Sequence, residues 1–296
     1  VPAATDDVII PGTSSPIALA SGEVTVKTLT CTGDLTLSGG TLNITDSGNF
    51  EESATLLLNG GTLTGGGAIS IAGSLNWYRG RISGSGTLVV TGDSTLYGTH
   101  YDDDKFLDGR TLTNRGTLAY TGDEWQFENG GIFLNDVEGT LDFRSDHVIR
   151  GSGTIDNQGT LRRTIGTGTA TIEVTLNNSG SLVVESGALK IRGGSNAGDI
   201  EVQDGKTLTL DTGTRNLEDT AEFTGTGTVV LRGYAVLNTN GEHSMTPTLS
   251  IVDGGTLGGD GHLTLEKLSW RKGRIRGAGD LIVLTSASVW DTHYDA

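Results

Sequence analysis

The chain has 296 residues, room for one or two ordinary domains or a single repeat array. Glycine supplies 47 of them, about twice the usual ~7%, yet with neither a three-residue period nor abundant proline, which excludes collagen and a disordered linker. A formal charge of −16 argues against nucleic acid and anionic membrane surfaces as partners, and no apolar run nears the ~20 residues of a membrane span, so no membrane insertion is expected.

Residues 1–31 hold three of the four prolines, Pro2, Pro11 and Pro16, among short β-branched runs. Proline removes a ladder N–H, so this segment is expected to be an irregular lead-in or cap. Val1 in place of an initiator Met, with no signal peptide, points to a mature form, an excised fragment or one module of something longer. The single cysteine, Cys31, sits in an alternating run, "VKTLTCTG". It excludes an intrachain disulfide and is expected to act as a small buried hydrophobe.

Residues 32–296 carry short Thr-, Leu-, Ile- and Val-rich runs separated by Gly-Gly or Gly-Ser, as in "DLTLSGGTLNITDSG" and "ATLLLNGGTLTGGG". Period-two alternation of this kind predicts strands with one buried face. The best helical signal, Arg215–Phe223, is short enough to be a loop between coils. Between Thr113 and Val184 one phrase recurs: "TNRGTL", "LNDVEGTL", "DNQGTL", "NNSGSL". Its asparagines, Asn114, Asn135, Asn157 and Asn178, are spaced by 21, 22 and 21 residues. Asn and Gly take positive φ cheaply, so each copy predicts a tight corner followed by a strand. A corner and a strand at this interval mark a solenoid coil.

A longer repeat is superimposed, residues 32–102 resembling 226–295. "NWYRGRIS" at Asn76–Ser83 returns as "SWRKGRIR" at Ser269–Arg276, and Trp77, Arg81 and His100 map onto Trp270, Arg274 and His293. The expected fold is all-β: a right-handed parallel β-helix (β-solenoid) with coils of about 20–28 residues, since the hexapeptide texture of left-handed helices is missing. Roughly thirteen coils at ~4.8 Å each would form a rod ~60 Å long.

The text from Lys105 to Phe143, "KFLDGRTLTNRGTLAYTGDEWQFENGGIFLNDVEGTLDF", and the run "TIDNQGTLRRTIGTGTATIEVTLNNSGSLVVESGALKIRGG" resemble the large repetitive secreted or surface-attached bacterial proteins with β-helical, adhesin-like or autotransporter-passenger-like regions. The resemblance covers most of Thr32–Asp295. It implies an extracellular or cell-surface setting and a parallel β-helix; it implies no activity and brings no catalytic motif.

Few residues invite a chemical role. "GTHYDDDKFLDG" gathers His100, Tyr101, Asp102, Asp103, Asp104 and Asp108, and carboxylates on a loop suit Ca²⁺. Asp102, Asp103 and Asp104 are thus the metal candidates, against a plain solvated loop; no other cofactor is expected. His100-Tyr101 returns as His293-Tyr294, and duplication suits a structural or contact role better than a catalytic one. Trp77 and Trp270 occupy equivalent positions, which favours packing, with a stacked sugar as the alternative. The acids Asp142, Asp146, Asp199, Glu201, Glu218 and Asp219, and the bases Arg144, Arg150, Arg162 and Arg163, alternate with apolar residues like ordinary outward faces. The expected function is therefore non-enzymatic: an extracellular β-helical rod serving as stalk, scaffold or head-to-tail filament subunit, with itself, other surface proteins or glycans as partners. The rival is a carbohydrate-binding or polysaccharide-degrading β-helix, touching its ligand through Trp125, Tyr97 and the Asp102–Asp104 loop.

Overall fold

The alternation of apolar and polar residues becomes strand after parallel strand. A computed structural model describes residues 2–12, 15–98, 104–218 and 221–290. Among them lie 33 strands and no helix. The fold is a parallel β-solenoid of about 14 turns, against roughly thirteen expected. Its residues fall into two compact units, Val1–Asp156 and Asn157–Ala296.

In the first unit each turn contributes three short strands, and each strand pairs with its counterpart one turn on. Leu35–Leu37 lies against the start of Thr55–Thr64, which lies against the start of Ser74–Ser83. A second ladder runs through the end of Ser74–Ser83, Lys105–Asp108 and the start of Trp125–Asn135. A third joins Thr87–Val90, Thr111–Asn114 and the end of Trp125–Asn135. The second unit repeats the plan, for example through Thr169–Ile172, Ala188–Ile191 and Thr207–Leu210. Partners in successive turns are 18 residues apart at the short end, as Leu182 and Ile200, and 25 at the long end, as Arg81 and Phe106.

Two expectations change here. Asp7–Ile10 and Glu23–Cys31 are already in the ladder, with Asp7 opposite Thr28 and Glu23 opposite Thr41. The prolines of residues 1–31 fall outside those strands, so the lost N–H groups do not interrupt pairing. Within Arg215–Phe223, expected as a loop between coils, Arg215–Leu217 is the end of strand Thr214–Leu217, paired to Gly194–Asn196.

Inward positions form columns. Leu35, Leu56 and Leu75 stack one above another and are almost fully buried. Each such side chain contributes roughly 1.5–3 kcal/mol by leaving water, before chain entropy is set against it. The first unit widens around an aromatic cluster. Trp77 and Trp125 meet edge to face at 6.2 Å, Trp125 lies 5.0 Å from Phe127 and 5.1 Å from Phe133, and Tyr120 lies 5.0 Å from Phe143. Rings at these separations add about 0.5–1.5 kcal/mol per pair beyond their burial.

The recurring asparagines are not corners of positive φ, as their sequence setting suggested. They end strands, point inward and are buried. Asn114 Nδ2 donates to Asn135 Oδ1 at 2.8 Å in the first unit. In the second, Asn157 donates to Asn178 at 2.6 Å and Asn178 to Asn196 at 2.9 Å. Equal spacing brings identical amides into register, and each also caps a bend: Asn114 donates to the Gly116 carbonyl at 3.0 Å and Asn196 to that of Gly198 at 2.7 Å. The glycine of the phrase is required by close approach. A Cβ at Gly139 would lie 2.4 Å from the Asn114 carbonyl and 2.5 Å from Asn135 Oδ1.

Cys31 is fully buried, and its thiol donates to the Gly33 carbonyl at 2.9 Å. Burial pushes the thiol up to about 11. Only the thiolate attacks disulfides, so at pH 8 about a thousandth of it is reactive. The native chain is therefore expected to resist Ellman's reagent, and the denatured chain to release one equivalent. Rapid native reaction would contradict this burial.

Candidate binding surface

The outward face of the second ladder in the first unit is where charge and aromatic rings converge. Pairing sets Arg81 opposite Phe106, Phe106 opposite Gln126, and Asp108 between Ser83 and Glu128. Arg81 Nη1 donates to Asp108 Oδ2 and to Glu128 Oε2, each at 2.6 Å, so one guanidinium ties three turns together. Burial opposes the charge on Arg81, but the hydrogen bonds to Glu128 and Asp108 outweigh it and hold the group above its ordinary range. Its guanidinium carbon lies 4.7 Å from the centre of the Phe106 ring, a cation–π contact. Asn129 closes the array by donating to Asp108 at 2.6 Å.

Beside it, Gln126 Nε2 donates to Asp104 Oδ2 at 2.8 Å, and Arg150 pairs with Glu124. Burial, then Asp123, pushes the Asp104 carboxyl up, while Arg150, Lys105 and Gln126 pull it back. Burial likewise raises Glu124; Arg150 opposes that rise, and Asp104 and Asp123 add to it. Tyr78 and Tyr97 pack against each other at the edge of this area, ring centres 5.1 Å apart and both half-buried.

Of the residues singled out from the sequence, Asp104, Asp108 and Arg150 belong to this surface, with Tyr97 at its edge. His100, Tyr101, Asp102, Asp103, Asp219, His293 and Tyr294 lie outside the described residues. Among the described residues no group of three or more His, Cys, Asp or Glu is placed to hold a metal ion. Trp77 and Trp125 are fully buried in the aromatic cluster and present no face to a ligand, which removes both as sugar contacts. Period two set both on the inward side, Trp77 opposite Leu96 and Trp125 opposite Lys105. Trp270 is half-buried, and its indole N–H donates to the Gly273 carbonyl at 3.0 Å, the bond Trp77 makes to Gly80 at 3.3 Å. The long repeat thus preserves a bend.

Two outward assignments are also corrected. Arg163 is wholly buried, because alternation places it on the side of Leu161; its Nη2 donates to the Gly168 carbonyl at 3.1 Å. Asp142 is buried too and accepts from Arg144 Nε at 2.9 Å. The sequence marked Arg81 only as a residue of the long repeat, and it did not single out Phe106, Gln126 or Glu128. Alternation in "KFLD" and "WQFE" marks them as outward, but only the pairing shows which turns bring them together.

Comparison with protein-family models, curated proteins and solved structures found no match for this chain.

Proposed function

We propose that this chain is a non-enzymatic β-solenoid that works outside the cell or at its surface as a stalk or scaffold. The observation that carries the reading is that groups able to do chemistry are engaged between turns. Asn114, Asn157 and Asn178 bond to the next asparagine of their ladder. Arg110 and Arg215 donate into backbone carbonyls, and Arg81 is bound to two carboxylates. Side chains held this way fix the register of one turn on the next, a structural task.

Assembly follows the same geometry. A parallel turn presents unpaired N–H and C=O groups to whatever stacks on it, so a turn of another copy is a suitable partner. Such a contact does not close on itself and would propagate head to tail. Negative-stain microscopy of the purified chain over a concentration series tests this, with filaments expected as concentration rises. Discrete particles throughout would remove the head-to-tail element. Release of reducing ends or unsaturated products from a polysaccharide panel would overturn the non-enzymatic reading.

A further inference from the structure

Arg79 stands apart from the other arginines of the first unit. Arg81, Arg115, Arg144 and Arg150 are paired with carboxylates, and Arg110 is bound to carbonyls. Arg79 is exposed and makes no hydrogen bond or ion pair among the described residues. Its setting offers a carboxylate close by: the Gly80 N–H donates to the Asp104 carbonyl at 3.0 Å, which places Asp104 beside Arg79 in the neighbouring turn. Yet the Asp104 carboxylate is bound to Gln126. A cation and an acid therefore border the same space without joining.

That space is an open groove of about 470 Å³ lined by Ser38, Gly60, Arg79, Gly80, Asp104 and Phe106, within the ~300–1,000 Å³ typical of small-ligand sites. Gly60 and Gly80 leave it unfilled, and neither is freely replaced. Their φ values are 106° and 108°, and a Cβ on Gly80 would lie 2.4 Å from the Gly61 carbonyl. Phe106 borders the groove with its ring steadied by Arg81.

We propose that this groove binds an anionic saccharide. Arg79 supplies the charge-assisted donor for a carboxylate or sulfate. Asp104, Ser38 and the bordering carbonyls accept from hydroxyls, and Phe106 covers the C–H face of a pyranose ring. A simple inorganic anion would use Arg79 alone, and a neutral sugar would leave it idle. With a net charge of −16 on the chain, long-range attraction of anions is absent, and recognition must be local.

The test is titration calorimetry of the whole chain with trigalacturonate, a sulfated heparin disaccharide, neutral cellotriose and inorganic sulfate. At least one of the two acidic saccharides is expected to bind, with cellotriose and sulfate at least tenfold weaker. Arg79→Gln should weaken that binding about tenfold to a hundredfold, the worth of a charged hydrogen bond. Since Arg79 makes no hydrogen bond or ion pair among the described residues, its variant should keep the wild-type melting temperature to within a degree or two, so lost binding is not lost structure. Phe106→Ala should also weaken binding. No binding of either acidic saccharide at millimolar concentration, equal binding of cellotriose or sulfate, or full affinity in Arg79→Gln would overturn the proposal. It is independent of the scaffold reading: a chain that never forms filaments would leave it intact.

Discussion

Arg215→Met is expected to lower the stability of the second unit by about 3–5 kcal/mol, since three inward carbonyls lose a charged donor at roughly 1–3 kcal/mol each. Arg215 is 2% exposed and, among the described residues, has no carboxylate partner. Its Nη1 donates to the Ser195 carbonyl at 2.9 Å, and its Nη2 to those of Leu176 and Arg192, each at 3.0 Å. These carbonyls belong to the two preceding turns at one bend, so the guanidinium acts as an internal pin across three turns. The bend is tight: Gly194 has a φ of 143°, and a Cβ there would lie 2.0 Å from the Leu176 carbonyl. Methionine fills much of the volume but leaves three inward carbonyls without a donor. Lysine should not rescue the fold, because one ammonium cannot reproduce a planar fork of donors. Arg110, bound to the Ser83 and Gly67 carbonyls at 2.8 Å each and to Thr87 at 3.2 Å, is the equivalent pin of the first unit.

The measurement is the urea midpoint of wild type and variant at several pH values. Burial lowers the Arg215 guanidinium from its ordinary range to about 10. A base whose folded value is depressed is charged in both states below that value, and its contribution rises with pH only from about 10 up to the ordinary guanidinium range. The wild-type-to-variant difference should therefore stay flat from pH 6 to 9. A midpoint unchanged by Arg215→Met would mean that the carbonyls find water and that the pin is dispensable.

The coil itself was legible because it rests on local rules. Alternation in "DLTL", "GTLVV" and "TLTL" set Leu35, Leu88 and Leu208 inward, where they are buried. The spacing of Asn114, Asn135, Asn157 and Asn178 marked the coil interval. What those asparagines do was not legible, since a corner of positive φ and an inward amide ladder use the same residues. Distinguishing them requires knowing that copies stack in register. Arg163 and Arg215 were obscured by composition: a guanidinium on a strand is ordinarily an outward group, and no sequence signal announces the carbonyls that receive it, Gly168 for Arg163 and those of the two preceding turns for Arg215. The surface around Phe106 was hidden by unequal coils. Thr62 meets Arg81 across 19 residues, but Arg81 meets Phe106 across 25, so a fixed period places Phe106 on the wrong neighbour.

The asparagine ladder yields the second large effect, and its form matters more than its size. Asn178 occupies the middle of the second unit's ladder, accepting from Asn157 and donating to Asn196 and, at 3.4 Å, to the Asp199 carbonyl. Asn178→Leu should cost about 2–4 kcal/mol, because it leaves buried Asn196 Oδ1 without its donor, frees the Asp199 carbonyl and takes from Asn157 Nδ2 one of its acceptors. Leucine is sterically reasonable there, since Leu217 continues the column opposite Asn196. Replacing Asn157, Asn178 and Asn196 together by leucine should cost clearly less than the three single losses added, because each amide–amide bond is counted twice among the singles. The expected coupling is about 0.5–3 kcal/mol across neighbouring rungs, measured by double-mutant cycles in urea. Strict additivity would show that each asparagine serves its own bend alone. Coupling would show that the repeated phrase specifies a continuous polar seam, which favours stacking Asn against Asn and so penalises a slip of the turns by one residue.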